Sequence, residues 1–184
     1  MSIRERGDSS DEPRARPEQF LYPLEFLFAE HDRQRVLCVA LERLADDPEA
    51  ADARENAAAI LAYLENDLPE HLADEEDLFP LLERRSQPDD QVEAVLDQLR
   101  HEHEADGDYA HRVMVPLKDL AAGHPLADTS AFVHDARTFS ILQRRHLAWE
   151  NGTLLPLARK RLSRQDLAGL GRMMAARRGI SYPG

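Results

Sequence analysis

Between Ile60 and Leu82 the apolar residues recur every three or four positions, and two polar residues, His71 and Glu75, stand in the middle of that stripe. An i, i+4 pair lies one above the other on a single helical face, so the pattern calls for a long helix whose buried side carries an imidazole and a carboxylate. Three further stretches show the same interruption. One track runs Leu24, Phe28, His31, Cys38, Leu41, with Arg35 on the same line; the next runs Val92, Leu96, Leu99, His103, Gly107, Ala110, Met114, Leu117; the last runs Phe132, Ala136, Phe139, His146, Glu150, Thr153, Leu157. Turn-forming clusters at 46–48, 86–89 and 122–125 separate the four stretches. Short turns between long helices imply antiparallel neighbours, so the expected fold is all-α, an up-down-up-down four-helix bundle over 18–162.

Residues 1–17 are charged and contain Ser and Pro with almost no large apolar group, which predicts a disordered N-terminal arm. Residues 163–184 read as a short C-terminal fifth helix, about 164–178, and a tail; its early Asp and late Arg residues suit the helix dipole, and Gly179 follows. Pro69, Pro80, Pro116 and Pro156 fall within the helical stretches, where each removes a backbone hydrogen bond, so a kink or early stop is expected at each. With 42% apolar but only 6% aromatic residues, and 8 glycines, the chain suits amphipathic helices better than many short strands. Its formal charge of −12 repels phosphate backbones and anionic headgroups and attracts cations, which argues against nucleic acid or a membrane as partner. A single cysteine, Cys38, excludes an intramolecular disulfide and a thiolate-rich zinc site, and reads as a small core residue. Nothing in the sequence reads as a signal peptide or a membrane span, so a cytoplasmic location is expected.

Buried polar groups cost roughly 1–3 kcal/mol each when unpaired, so six of them must satisfy one another or a common guest. With helices starting near Glu18 and Asp90 and ending near Arg85 and Lys160, each histidine lies about 13 or 14 residues from the same end of the bundle. At a rise of ~1.5 Å per residue all four sit about 20 Å from that end, in one layer. Four imidazoles and two carboxylates in one layer make the ligand set of a two-metal site, with both glutamates able to bridge and two histidines for each ion. Nitrogen-rich coordination disfavours Ca²⁺ and Mg²⁺, the lack of thiolates leaves Fe, Mn or Zn, and carboxylate bridges favour iron.

The stretches Glu30-His31, His71-Leu72-Ala73-Asp74-Glu75-Glu76-Asp77-Leu78-Phe79-Pro80, Glu102-His103-Glu104 and His146-Leu147-Ala148-Trp149-Glu150 leading to Leu154-Leu155-Pro156 resemble the motifs of the hemerythrin-like (HHE cation-binding) proteins, in order, across about residues 20–160. The resemblance implies a bundle holding a non-haem di-iron centre, carboxylate- and oxo-bridged, that reacts with O₂, NO or peroxide. The positions it carries over are His31, His71, Glu75, His103, His146 and Glu150 as ligands, with Glu75 and Glu150 as bridges. Oxygen-carrying hemerythrins have a further histidine four residues after the third-helix ligand, where this chain has Gly107. That departure implies an open coordination position and argues against reversible O₂ carriage. The four-His, two-Glu set is similar to di-iron proteins that repair iron–sulfur clusters, which usually add an N-terminal cysteine-bearing region that this sequence does not show. Glu75 precedes Pro80 by one residue fewer than the family pattern, which keeps Glu76 as a reserve ligand.

His101, two residues from His103, is expected at the surface, as are His111, His124 and His134. Arg35 either pairs with a carboxylate such as Asp74 or reaches water, and the run from Asp74 to Asp77, Glu75 apart, is expected to be partly a solvated face. Gln143 and Tyr63 read as interhelix packing, or as groups that orient a diatomic ligand. Two functions follow: a di-metal protein that senses, stores or scavenges O₂, NO or the metal, and a di-iron enzyme or repair factor that handles NO or peroxide or donates iron. A metal-free helical interaction module is a distant third.

Overall fold

A computed structural model describes residues 15–183, and among them there are helices and turns but no strand. After a 3₁₀ segment, Pro17–Leu21, come α1 (Pro23–Asp46), α2 (Ala53–Ala62), α3 (Leu68–Arg85), α4 (Val92–Ala122), α5 (Thr129–Trp149), α6 (Leu155–Arg161) and α7 (Arg164–Arg177). Residues Tyr63–Asp67 join α2 to α3, and Glu150–Leu154 join α5 to α6, each as one five-residue π turn without a break. The described chain is therefore five continuous helices. Residues 1–14 of the expected arm lie outside the described residues; of its last three, Ala15 is buried and Pro17 opens the 3₁₀ segment.

Local chemistry sets the helix limits. Pro23 starts α1, the Asp128 carboxylate accepts from the Ala131 N–H at 2.9 Å to cap α5, and Gly123 ends α4 with φ +80, a conformation that costs glycine little. The four prolines behave in two ways. Helices α3 and α4 run through Pro80 and Pro116, whereas π turns lie immediately before the Leu68-Pro69 and Leu155-Pro156 steps. A proline ring clashes with the carbonyl four residues earlier, and here those carbonyls, of Glu65 and Gly152, lie inside the wider turns.

Helix α1 packs along α5, α2 along α4, and α4 along α5, while α7 lies against α3, α1 and the 3₁₀ segment. The approach of α7 is close: a Cβ on Gly171 would stand 2.0 Å from the Phe20 carbonyl oxygen, so only glycine fits there. The apolar core falls into two clusters. Phe20, Leu24, Leu27, Leu78, Phe79, Leu82, Leu96, Leu99 and Leu154 belong to one, and Leu41, Ile60, Leu64, Val113, Leu117, Phe132, Ala136 and Phe139 to the other. No helix among the described residues is long and apolar enough to cross a membrane.

Three expected stripes shift by one residue. Phe28 is 44% exposed, and the buried face of α1 runs Leu24, Leu27, His31, Gln34, Cys38, Leu41 instead. In α4 the inward track passes through Asp106 and Val113, leaving Gly107 exposed and Met114 half-buried. After Glu150 the extra residue of the π turn rotates the helix, so Leu154, Leu155 and Ala158 are buried where Thr153 and Leu157 were expected.

Candidate metal centre

Helices α1, α3, α4 and α5 each direct one histidine into the space between the two apolar clusters, and Glu75 and Glu150 enter it from α3 and the second π turn. His31, Glu75 and Glu150 are fully buried and His71 and His146 nearly so, while the His103 side chain keeps 10% exposure. The six form two overlapping groups, His31-His71-Glu75-Glu150 and His103-His146-Glu75-Glu150, each with its candidate ligand atoms within 4.8 Å of one another. The His31 and His71 rings meet edge to face at 5.1 Å, and those of His103 and His146 at 4.9 Å.

The carboxylates divide their oxygens between the two groups. Glu75 Oε1 lies 3.4 Å from His31 Nε2 and 3.1 Å from His71 Nε2, while its Oε2 lies 3.3 Å from His103 Nε2. Glu150 Oε2 lies 3.4 Å from His31 Nε2, while its Oε1 lies 3.3 Å from His146 Nε2 and 4.0 Å from His103 Nε2. Outer partners fix two of the imidazoles. His31 Nδ1–H donates to Asn151 Oδ1 at 2.8 Å and His146 Nδ1–H donates to Glu102 Oε2 at 3.1 Å, which turns each Nε2 lone pair inward. Phe79 stacks on His103 at 5.9 Å.

Several inward-facing atoms have no hydrogen-bond partner: His71 Nε2, His103 Nε2, Glu75 Oε2 and both carboxylate oxygens of Glu150. Buried lone pairs facing one another are costly unless a cation lies among them, and imidazole nitrogen with carboxylate oxygen suits Fe, Mn or Zn. The donor set fits a metal pair. The electrostatics agree: burial and then the facing Glu75 charge push the Glu150 carboxyl up. Burial also opposes ionisation of Glu75, but His71 and its contacts with His103 and His31 hold it well below the usual carboxylate range. Burial opposes the charged form of His146 as well, yet the Glu150 contact prevails and raises it to about 10. The carboxylates thus favour protons on the His71 and His146 imidazoles, and a cation entering the layer would displace those protons and bind the freed nitrogens.

The other singled-out residues sort as follows. His101, His111, His124 and His134 are exposed. Glu76 has a 54% exposed side chain and reaches His103 Nδ1 only at 3.7 Å, outside both groups. Arg35 pairs with Asp32 at 2.7 Å, not with Asp74. Asp74, expected on a solvated face, is fully buried, because α7 covers it and supplies Arg177 and Arg178. Gln143 donates to Gln34 at 2.6 Å between α5 and α1, and Cys38 is buried with its thiol pushed up to about 11 by burial. Gln34, Glu102, Asp106 and Asn151 are contributions that sequence reasoning missed. The position of Glu102 and Asn151 beside His103 and Glu150 was the available signal.

No curated protein matches the chain. The model of the hemerythrin HHE cation-binding domain matches residues 22–158, a span that contains all six converging side chains and most of the described helices. The chain therefore belongs to the hemerythrin HHE family of cation-binding domains.

Proposed function

We propose that this chain is a di-iron protein of up-down-up-down topology that senses, stores or scavenges O₂, NO or iron, with His31, His71, His103, His146, Glu75 and Glu150 as ligands. The reading is carried by one observation: each glutamate presents one oxygen to the His31 side and the other to the His103 side, the disposition of a bridging carboxylate. A non-haem iron pair supplies, when bound, redox chemistry and affinity for diatomic ligands. The chain's own residues do the rest. Asn151 and Glu102 hold His31 and His146 in the ligating tautomer, and Phe79 covers one face of His103. Gly107 is exposed, with nothing within 4 Å of an added Cβ, so it faces away from the layer, and the inward position one turn after His103 is taken by Asp106.

The enzymatic reading has a separate observation in its favour. Asp106, one turn after His103, has a buried and unpartnered Oδ2, and burial pushes its carboxyl up to about 6. It can therefore hold or release a proton at Oδ2 near neutral pH beside a reacting ligand.

Elemental analysis after growth with iron should give about two metal ions per chain. A single tightly held Zn²⁺, with none of the near-ultraviolet absorption of ferric iron, overturns the proposal. Stopped-flow mixing of the reduced protein with air-saturated buffer should give rapid oxidation, and a long-lived oxygenated species would restore carriage.

A further inference from the structure

We infer that α7, which lies beyond the family-matched span, positions the His71 and Glu75 side of the centre through a buried Asp74–Arg177–Arg178 cluster. The inference rests on the metal-centre reading above. Asp74 follows His71 by three residues and precedes Glu75 by one, so whatever fixes its carboxylate fixes the rotation of α3 about its axis and the aim of both neighbours. That carboxylate has no exposure, and a buried carboxylate persists only when paired. Arg178, itself 9% exposed, meets it with two nitrogens, Nη2 at 2.7 Å from Oδ2 and Nη1 at 3.2 Å from Oδ1. Arg177 pairs with the same carboxylate, donates to Asp77 at 2.6 Å and reaches the Ala73 carbonyl at 3.3 Å.

Arg178 also ties α3 to α1. Its guanidinium lies 4.9 Å from the centre of the Phe26 ring, five residues before His31, and 5.8 Å from that of Phe20. Its Nε stands 3.4 Å from Glu70 Oε2, one residue before His71. One arginine thus spans the helices that supply His31, His71 and Glu75, while the His103–His146 side has no contact with α7 among these. The cluster braces one half of the centre. A lysine at 178 would keep the charge but lose the planar fork that makes both contacts at once.

The test uses the full chain loaded with Co²⁺, read by visible absorption and by the rate of cobalt loss to excess EDTA. Arg178→Lys and Arg177→Ala should each release about half of the bound cobalt ~10-fold faster than wild type and shift its absorption bands, the size typical of losing an outer partner of a ligand. Asp74→Asn should do the same, and Asp74→Asn combined with Arg178→Lys should be no faster than Asp74→Asn alone, because both act through one contact. Leu117→Ala is the control: it opens the other apolar cluster, which contains no residue of α7, and should lower stability while leaving the spectrum and the release rate unchanged. Release from Arg178→Lys at the wild-type rate, or equal acceleration by Leu117→Ala, overturns the inference while leaving the centre intact. A wild type that takes up no cobalt removes the centre, and the inference with it.

Discussion

The two apolar clusters on either side of the His/Glu layer are built differently. The cluster around Ile60, Leu117 and Phe139 is packed by the helices of the matched domain alone, whereas the one around Leu27, Phe79 and Leu99 also includes Phe20, Leu170 and Met174 from the 3₁₀ segment and α7. The residues nearest the layer differ too. Phe79 stacks on His103 on the α7 side, while the layer one turn away on the other side is polar, with Gln34, Asp106 and Gln143. One half of the bundle is apolar up to the layer and also packed by α7, and the other is polar next to the layer and packed by fewer elements. The His/Glu layer is therefore flanked unequally, with the additional packing on the half that extends past the domain.

Removing the layer's charge should produce the largest effect. Glu75→Ala removes one of the two carboxylates shared by both groups, and metal uptake should fall from about two ions to well under one by elemental analysis. The unliganded variant should also lose the metal-dependent rise in Tm, roughly 10 °C if the ion is present near a thousandfold above Kd.

Core truncations sharpen the contrast between the halves. Phe79→Ala and Phe139→Ala each delete a fully buried ring and should each cost ~3–5 kcal/mol by chemical denaturation. Only Phe79→Ala should also weaken metal retention, since only Phe79 stacks on a candidate ligand. Equal weakening by both would erase the distinction.

Gly171→Ala tests the reinforcement itself. The new Cβ cannot coexist with the Phe20 carbonyl at 2.0 Å, so α7 must back away at a cost of about 1–3 kcal/mol, with increased hydrogen exchange confined to α7 and residues 17–21.

The smallest effect concerns pH. Ser163 caps α7, and hydrogen bonds from Ser163 and then Arg85 lower the Asp166 carboxyl from 3.8 to about 2. A lowered carboxylate contributes stability above its unfolded value and loses it as pH falls through the folded one, so α7 should loosen between about pH 4 and 2. Asp166→Asn should abolish that acid-dependent step in α7 hydrogen exchange.

Much of this was legible in periodicity, because a polar residue inside an apolar stripe marks the same face whether or not its partners are known. His31, His71, Glu75, His103, His146 and Glu150 were found in that way, and they converge. What periodicity could not resolve was the choice between a step of three and a step of four. That choice put Phe28 and Gly107 inward in place of Leu27 and Asp106. The π turn at Glu150–Leu154 lies outside any 3.6-residue rule and moved the stripe after it. Asp74 was misread for a different reason, since an acidic run looks solvated until a helix about a hundred residues later supplies two guanidinium groups to cover it.

The lateness of those guanidinium groups has a consequence in time. Glu150 is the last of the six converging side chains to be synthesised, and Arg178 follows it 28 residues later. Arg178 stands 104 residues from the Asp74 carboxylate that it meets, so this contact closes a long loop and belongs to the last stage of assembly, and a cation captured before it forms enters a looser cage than the finished one.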